Sequence, residues 1–107
     1  MVDYRIGYGQ SFDFYERENI TGTTFGDPND GYRQNMLIPF STYGIIIVNE
    51  DPSVPLDISF DGFHIHETLS TAAGITSVTY LNRVVCKIWF KVASSSADVS
   101  VRAWGIR

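Results

Sequence analysis

The final segment of the chain, residues 98–106, alternates apolar and mainly polar side chains with a period of two. The apolar set is Val99, Val101 and Ala103, and the other set is Ser100, Arg102 and Trp104. Successive side chains of a β-strand point to opposite faces, so this pattern predicts a half-buried strand. The chain shows no 3.6-residue apolar period of the kind that marks an amphipathic helix. The pattern therefore favours an all-β fold.

Further strands are predicted upstream, separated by turn residues. Their ranges are 43–49, 56–60, 63–66, 75–81 and 84–92. The first of these is almost continuously β-branched, which suits a strand buried on both faces. Short strands at this spacing are typical of an antiparallel β-sandwich or jelly roll, and we expect that fold here.

For two of these strands, the sequence predicts which side chains share a face. Leu56, Ile58 and Phe60 should point inward, and Asp61-Gly62 should turn the chain into a returning strand over 63–66. In the strand over 84–92, one face should hold Val84, Cys86, Ile88, Phe90 and Val92. Cys86 is then interpreted as a small buried hydrophobic residue.

The first third of the chain has a different character. Glycine recurs too often there for long regular elements, and 27–31 reads as a turn. Residues 11–20 fit either a strand, by alternation, or a short helix capped by Ser11. We favour an extended N-terminal arm over 1–34 that packs on or between subunits, followed by a β-sandwich domain over 35–107.

The charge balance disfavours two classes of partner. Twelve acidic residues outnumber eight basic ones, which gives a formal net charge of −4. Nucleic acids and anionic membranes are bound mainly through Lys and Arg, so neither is expected as a partner. A single cysteine and the lack of a basic-then-apolar N-terminus predict folding in the cytosol without a secretory signal.

Aromatic residues make up 14% of the chain, more than a core of this size usually needs. Some of them should face a partner, because aromatics are enriched at interfaces. The predicted interface residues are Tyr4, Tyr8, Phe12, Phe14, Tyr15, Trp89 and Trp104. The two tryptophans have alternative interpretations, as a layer packed under the arm or as a platform for sugar rings.

One pair of residues could carry metal chemistry. On a strand, His64 and His66 would share a face and could reach one ion, as in many cupin sites. The glutamate of the cupin pattern is missing, since its position falls at Ser70 or Thr71. Glu67 would point to the opposite face. We therefore predict no catalytic residues, no cofactor and no enzyme, with a metal site at the histidine pair as the minor alternative.

The stretch from 43 to 104 resembles small structural proteins of tailed bacteriophage virions. The residues that carry the resemblance are Val48-Asn49-Glu50-Asp51, Ile58-Ser59-Phe60-Asp61-Gly62 with a histidine soon after, Lys87-Ile88-Trp89-Phe90-Lys91 and Val99-Ser100-Val101-Arg102-Ala103-Trp104. Proteins of this kind are β-sandwich domains that decorate capsids or build head and tail appendages, often as trimers.

The resemblance implies a virion structural protein assembled in the host bacterial cytoplasm. The expected role is a capsid decoration or cement protein that binds the major capsid protein, or other virion proteins, non-covalently as a homo-oligomer, with a trimer favoured. A tail, neck or baseplate component is the first alternative. A carbohydrate-binding β-sandwich module that uses the tryptophans is the second.

Overall fold

The computed structural model describes residues 11–25 and 35–106. Within these ranges the chain forms eight β-strands and no helix, so none of the described residues lies in a helix that could cross a bilayer. The strands are β1 (Ser11–Ile20), β2 (Asn35–Leu37), β3 (Gly44–Asn49), β4 (Leu56–Ser59), β5 (Glu67–Leu69), β6 (Ser77–Leu81), β7 (Lys87–Val92) and β8 (Ala97–Ile106).

The strands form two four-stranded sheets in which every pairing is antiparallel. The first sheet has the order β1-β8-β3-β6, and the second has the order β2-β7-β4-β5. Neighbours in each sheet are therefore mostly distant in sequence, and each sheet takes strands from both halves of the chain. The all-β prediction is confirmed.

The two sheets share one hydrophobic core. From the first sheet it takes Ile45, Ile47, Val99, Val101 and Ala103, and from the second it takes Leu56, Ile58, Ile88, Phe90 and Val92. Each fully buried aliphatic or aromatic side chain contributes about 1.5–3 kcal/mol through removal of its surface from water. A core that takes side chains from both sheets is consistent with a β-sandwich.

β3 shows how the sequence pattern becomes a position in the sheet. Ile45 and Ile47 are fully buried in the core, while Ile46 and Val48 are half-buried on the outer face. β3 pairs with β8 on one side and β6 on the other, so it is an interior strand. β-branched side chains on both faces suit that position because they pack well on a pleated surface.

Part of the predicted N-terminal arm belongs to the first sheet. Ser11–Ile20 is a strand that pairs with β8 from Ser11↔Ile106 to Ile20↔Ala97, which decides between the strand and the helix considered for this segment. Ile20 is completely buried in the core. Residues 1–10 and 26–34 of the predicted arm lie outside the described residues.

The predicted returning strand over 63–66 is wrong. β4 ends at Ser59 and β5 begins at Glu67, so residues 60–66 form a connection between them. The Asp61 carboxylate accepts hydrogen bonds from the backbone N–H groups of Phe63 and His64. Ser59 Oγ accepts from the N–H of Gly62. Side chains thus take the donors that a strand ladder would need.

The burial predicted for Cys86 is also wrong. Cys86 is exposed, and its neighbour Val85 is buried instead. The alternation of buried and less buried side chains in β7 starts only at Lys87. In the segment before β7, Val85 is the buried residue because the Thr42 hydroxyl holds the backbone there. This hydroxyl donates to the Arg83 carbonyl at 2.6 Å and accepts from the Val85 N–H at 2.9 Å.

Candidate functional site

Three connections meet at one end of the two sheets, which we call the loop end. They are residues 38–43, 60–66 and 82–86. Ile38 N–H donates to the Cys86 carbonyl at 2.9 Å, which joins the first connection to the third. The Arg83 guanidinium lies 4.8 Å from the centre of the Phe60 ring, which joins the third to the second. The three connections therefore form one continuous surface.

Exposed apolar side chains concentrate at this loop end. Within the described residues, the large hydrophobic side chains that are exposed are Tyr15, Leu37, Tyr43, Phe63, Ile65, Ile75, Leu81 and Val84. All except Tyr15 and Ile75 lie in the three connections or at the strand ends beside them. Phe63 is 83% exposed and Val84 is 73% exposed. Contiguous exposed apolar surface marks interaction sites on proteins.

Two cations border this apolar surface. Arg83 lies over the rings of Phe60 and Tyr80, at 4.8 and 4.9 Å from their centres. Lys87 Nζ lies 4.8 Å from the centre of the Trp89 ring. Neither cation forms an ion pair with a carboxylate among the described residues. Their charges are held against aromatic faces.

The Asp61 carboxylate, by contrast, is satisfied inside its own connection. It accepts hydrogen bonds from Ser59 Oγ at 2.9 Å, Phe63 N at 2.8 Å and His64 N at 2.9 Å. His64 Nδ1 lies 2.7 Å from its second oxygen. The contact with the His64 side chain, then the backbone bonds from His64 and Phe63, hold the pKa of Asp61 well below its usual range. Asp61 is therefore a structural anion that fixes the shape of residues 60–66.

Both predicted metal-site histidines lie near Asp61 Oδ2, His64 Nδ1 at 2.7 Å and His66 Nε2 at 3.9 Å. The other ring nitrogen of His66, Nδ1, accepts a hydrogen bond from the Phe60 backbone N–H at 3.0 Å. The ring centres are 6.3 Å apart. Across the described ranges, no group of three or more His, Cys, Asp and Glu side chains is placed to hold a metal ion. His66 positions the backbone at the start of this connection.

The opposite end of the sheets carries acidic groups. Glu50 forms an ion pair with Arg17, and Asp98 Oδ2 lies 3.8 Å from the same guanidinium. Asp51 Oδ2 accepts a hydrogen bond from the Asp98 backbone N–H at 2.8 Å. This end thus carries Glu50, Asp51 and Asp98 with Arg17, whereas Arg83 and Lys87 lie at or beside the loop end together with Asp61 and Glu67.

The predicted interface residues fall in different places. Tyr4 and Tyr8 lie outside the described residues, and Phe12 contributes its backbone to β1 opposite Gly105. Phe14 packs against the core, while Tyr15 is 59% exposed on the outer face of the first sheet. Phe14 and Tyr15 belong to β1 and to none of the three connections of the loop end.

The two tryptophans are half-buried on the outer faces of different sheets. The Trp104 ring lies on Gly44. The Trp89 ring lies beside Gly62, where an added Cβ would stand 3.1 Å from Trp89 Cε2. Gly62 has φ +82°, a backbone conformation that favours glycine. Each tryptophan thus has a local packing partner within the domain.

A shallow cleft of about 430 Å³ lies on the first sheet and is lined by Asp13, Phe14, Tyr15 and Arg102. Tyr15 and Arg102 are direct cross-strand partners, with the guanidinium 5.5 Å from the centre of the ring. An aromatic face, a cation and a carboxylate therefore surround one small concavity.

Sequence reasoning missed the loop end. Its exposed members, such as Phe63, Val84 and Leu81, were interpreted as strand residues because they continue apolar patterns. The sequence did contain one signal, because apolar residues lie next to turn residues such as Asn82. The structure places Asn82 in a left-handed conformation with φ 60°. No protein-family model, curated protein or solved structure matches the chain. Function must therefore be inferred from the geometry of the chain itself.

Proposed function

We propose that this chain is a virion structural protein, and that it acts as a capsid decoration or cement protein. The observation that carries the proposal is the loop end, where Phe63, Ile65, Leu81 and Val84 are exposed together. A surface of this kind is suited to non-covalent attachment to another protein. The resemblance of residues 43–104 to small structural proteins of tailed phages supports the virion as its setting.

The strand order gives further support. The strand orders β1-β8-β3-β6 and β2-β7-β4-β5 support a jelly roll, in which two Greek keys fold over into two sheets. Jelly rolls recur in viral capsid proteins, but also in lectins and cupins, so a jelly roll would be compatible with the proposed function without being specific to it.

In this proposal the partner is the major capsid protein or another virion protein, encountered in the host bacterial cytoplasm. A homo-oligomer, with a trimer favoured, would multiply the contacts of one small domain. The N-terminal residues up to 34 would add contacts between subunits, while β1 anchors them to the sheet. Size-exclusion chromatography with light scattering measures the oligomer directly.

The direct test uses virions from a genome that carries this gene. Particles are purified on a density gradient, and the chain is quantified by mass spectrometry in the particle band and in the unassembled fraction. We expect a fixed copy number per capsid in the particle band. Absence of the chain from purified particles contradicts the proposal. Recovery with isolated tails instead of heads would favour the tail, neck or baseplate alternative.

Carbohydrate binding is a second candidate, and the cleft at Tyr15 and Arg102 favours it. The ring face can stack on a sugar, while Arg102 and Asp13 offer a donor and an acceptor for hydroxyl or carboxylate groups. A glycan array separates the candidates. Binding that is lost in Tyr15→Ala but retained in Phe63→Ser would support the carbohydrate function.

A further inference from the structure

We infer that β1 pairs with β1 of a second copy of this chain, antiparallel and about a two-fold axis at Tyr15, so that the first sheets of two domains join into one sheet. The inference does not depend on the proposed function. It specifies a two-fold contact in place of the three-fold one favoured for the oligomer, because the same strand faces itself across the axis.

β1 is the longest edge strand of the two sheets. Among the described residues the edges are β1, β6, β2 and β5, with ten, five, three and three residues. Edge strands that stay unpaired are commonly short, or carry lysine, proline or a bulge. β1 contains neither lysine nor proline, and its ten residues pair with β8 in unbroken register. An edge of this kind is suited to the addition of another strand.

The backbone groups that β1 offers at its free edge follow from the register of the sheet. The Glu50 N–H donates to the Asp98 carbonyl at 2.8 Å, so Asp98 turns its backbone groups toward β3. Successive residues of a strand turn these groups to opposite sides, so Val99 turns its own toward its β1 partner, Glu18. By the same alternation, the residues of β1 that turn their N–H and C=O groups away from β8 include Asp13, Tyr15 and Arg17.

The side chains of these three residues make the edge complementary to itself. All three are exposed, and they share the outer face of the first sheet because Phe14, between the first two, packs against the core. An axis at Tyr15 sets Asp13 of each copy opposite Arg17 of the other, and sets the two Tyr15 rings side by side. Pairs of opposite charge and pairs of aromatic rings both stabilise antiparallel strands.

The other two-fold registers near the middle of β1 are less favourable. Outer residues must meet outer residues, so the axis has to lie at a residue position. Four positions would set a charged residue opposite its own copy, namely Asp13, Glu16, Arg17 and Glu18. An axis at Phe14 would set Asp13 opposite Tyr15 and form no ion pair. The axis at Tyr15 sets Glu16 opposite Phe14, so no like charges lie directly across from each other.

Arg17 has donors for a second carboxylate. Its contacts with Glu50 and with Asp98 both use Nη2. A guanidinium group also carries N–H donors on Nε and Nη1. The Arg17 side chain is 54% exposed, so Asp13 of a second copy can approach it.

The oligomeric state of the full chain is the first measurement, by size-exclusion chromatography with light scattering across a dilution series. We expect a dimer that dissociates into monomers on dilution. A monomer at every concentration overturns the inference, and so does a trimer, because a contact of a strand with itself cannot close a three-membered ring.

Charge exchange tests the register. Asp13→Arg sets two guanidinium groups opposite each other and should weaken dimerisation about tenfold. Combining it with Arg17→Asp sets opposite charges face to face again, and should return the dissociation constant to within about threefold of wild type. Thermal unfolding of each variant separates lost pairing from lost folding. Unchanged dimerisation in Asp13→Arg, or no recovery in a folded double variant, contradicts the register.

Cysteine cross-linking tests the axis without altering these charges. In a Cys86→Ser background, Tyr15→Cys should form a disulfide between two copies under mild oxidation, because hydrogen-bonded partners in antiparallel strands have Cα atoms about 5.5 Å apart. Thr79→Cys is the matched control, since Thr79 is exposed on β6, the other edge of the same sheet. Cross-linking of Thr79→Cys as fast as that of Tyr15→Cys overturns the inference.

Discussion

The indole ring of Trp104 fills the space that a Cβ of residue 44 would need, directly across the β3–β8 pair. Gly44 is buried beneath the ring. The alternation of β8 predicted an outward Trp104, and the structure shows why the ring can lie flat there: its cross-strand partner has no side chain. This pairing lets a large aromatic residue cover an interior strand.

Gly44→Ala should therefore displace the Trp104 ring and destabilise the fold by about 1–3 kcal/mol, as overpacking does. The measurement is the urea unfolding midpoint. In a Trp104→Ala background, the same glycine substitution should cost less than about 0.5 kcal/mol because the collision is gone. An equal cost in both backgrounds would show that the ring is not what Gly44 accommodates.

Asn49→Ala should be among the more costly polar substitutions in the domain. Asn49 is 2% exposed, and its side chain donates to the carbonyls of Val54 at 2.9 Å and Leu69 at 2.8 Å. Losing these bonds removes a donor from the buried contact with Leu69 and from the part-buried contact with Val54, which should cost about 2–3 kcal/mol in unfolding free energy. Asn19→Ala, which removes an exposed bond to Asp98, should change stability by less than about 0.5 kcal/mol. Similar losses in the two variants would contradict the assigned role.

Asp61→Asn should remove an acid-sensitive part of the stability. The pKa of Asp61 is lowered in the folded chain, mainly by its contact with His64. A lowered folded-state pKa stabilises the fold above the ordinary carboxyl pKa and loses that contribution as the pH falls. The stability difference between wild type and Asp61→Asn should hold from pH 7 to about 5 and shrink below about pH 4.

His64→Ala keeps the Asp61 carboxylate but removes its largest stabilising contact, so its difference from wild type should be smaller than that of Asp61→Asn. Denaturant titrations across the pH range measure both variants. If wild type and Asp61→Asn lose stability in parallel on acidification, the carboxylate does not support residues 60–66 in the way described.

Cys86 should react with a thiol reagent in the native protein. Its side chain is exposed, since β7 begins only after it. We expect one thiol per chain to be labelled without denaturant, and no labelling in Cys86→Ser. Reaction that requires unfolding would instead support the burial that alternation predicted.

The sequence allowed β3, β4, β6, β7 and β8 to be predicted, but not β2, β5 or the geometry of the connections. β3 and β8 followed from β-branched and alternating residues, because those patterns report burial on a pleated strand. The connection over 60–66 did not, because Asp61 and Ser59 capture backbone donors through contacts that alternation cannot encode. Val84 and Cys86 continue the apolar alternation of β7 in the sequence, yet both are exposed. The reason is that Thr42, which is distant in sequence, holds the backbone of this segment through its hydrogen bonds.

The candidate site was less predictable still. Phe63, Leu81 and Val84 belong to separate segments, and their gathering depends on the strand order of both sheets. The sequence did indicate that exposed aromatic and apolar groups exceed the needs of one core. It could not place them, because their positions depend on the antiparallel pairing of β3 with β6 in one sheet and of β4 with β7 in the other.

The most direct measurement is a cryo-electron microscopy map of virions from a genome that carries this gene. We expect density for a two-sheet domain on the particle, attached through the loop end with Phe63 and Val84 against a capsid subunit. A particle without this density, or with the domain attached through the Tyr15 and Arg102 face, would contradict it.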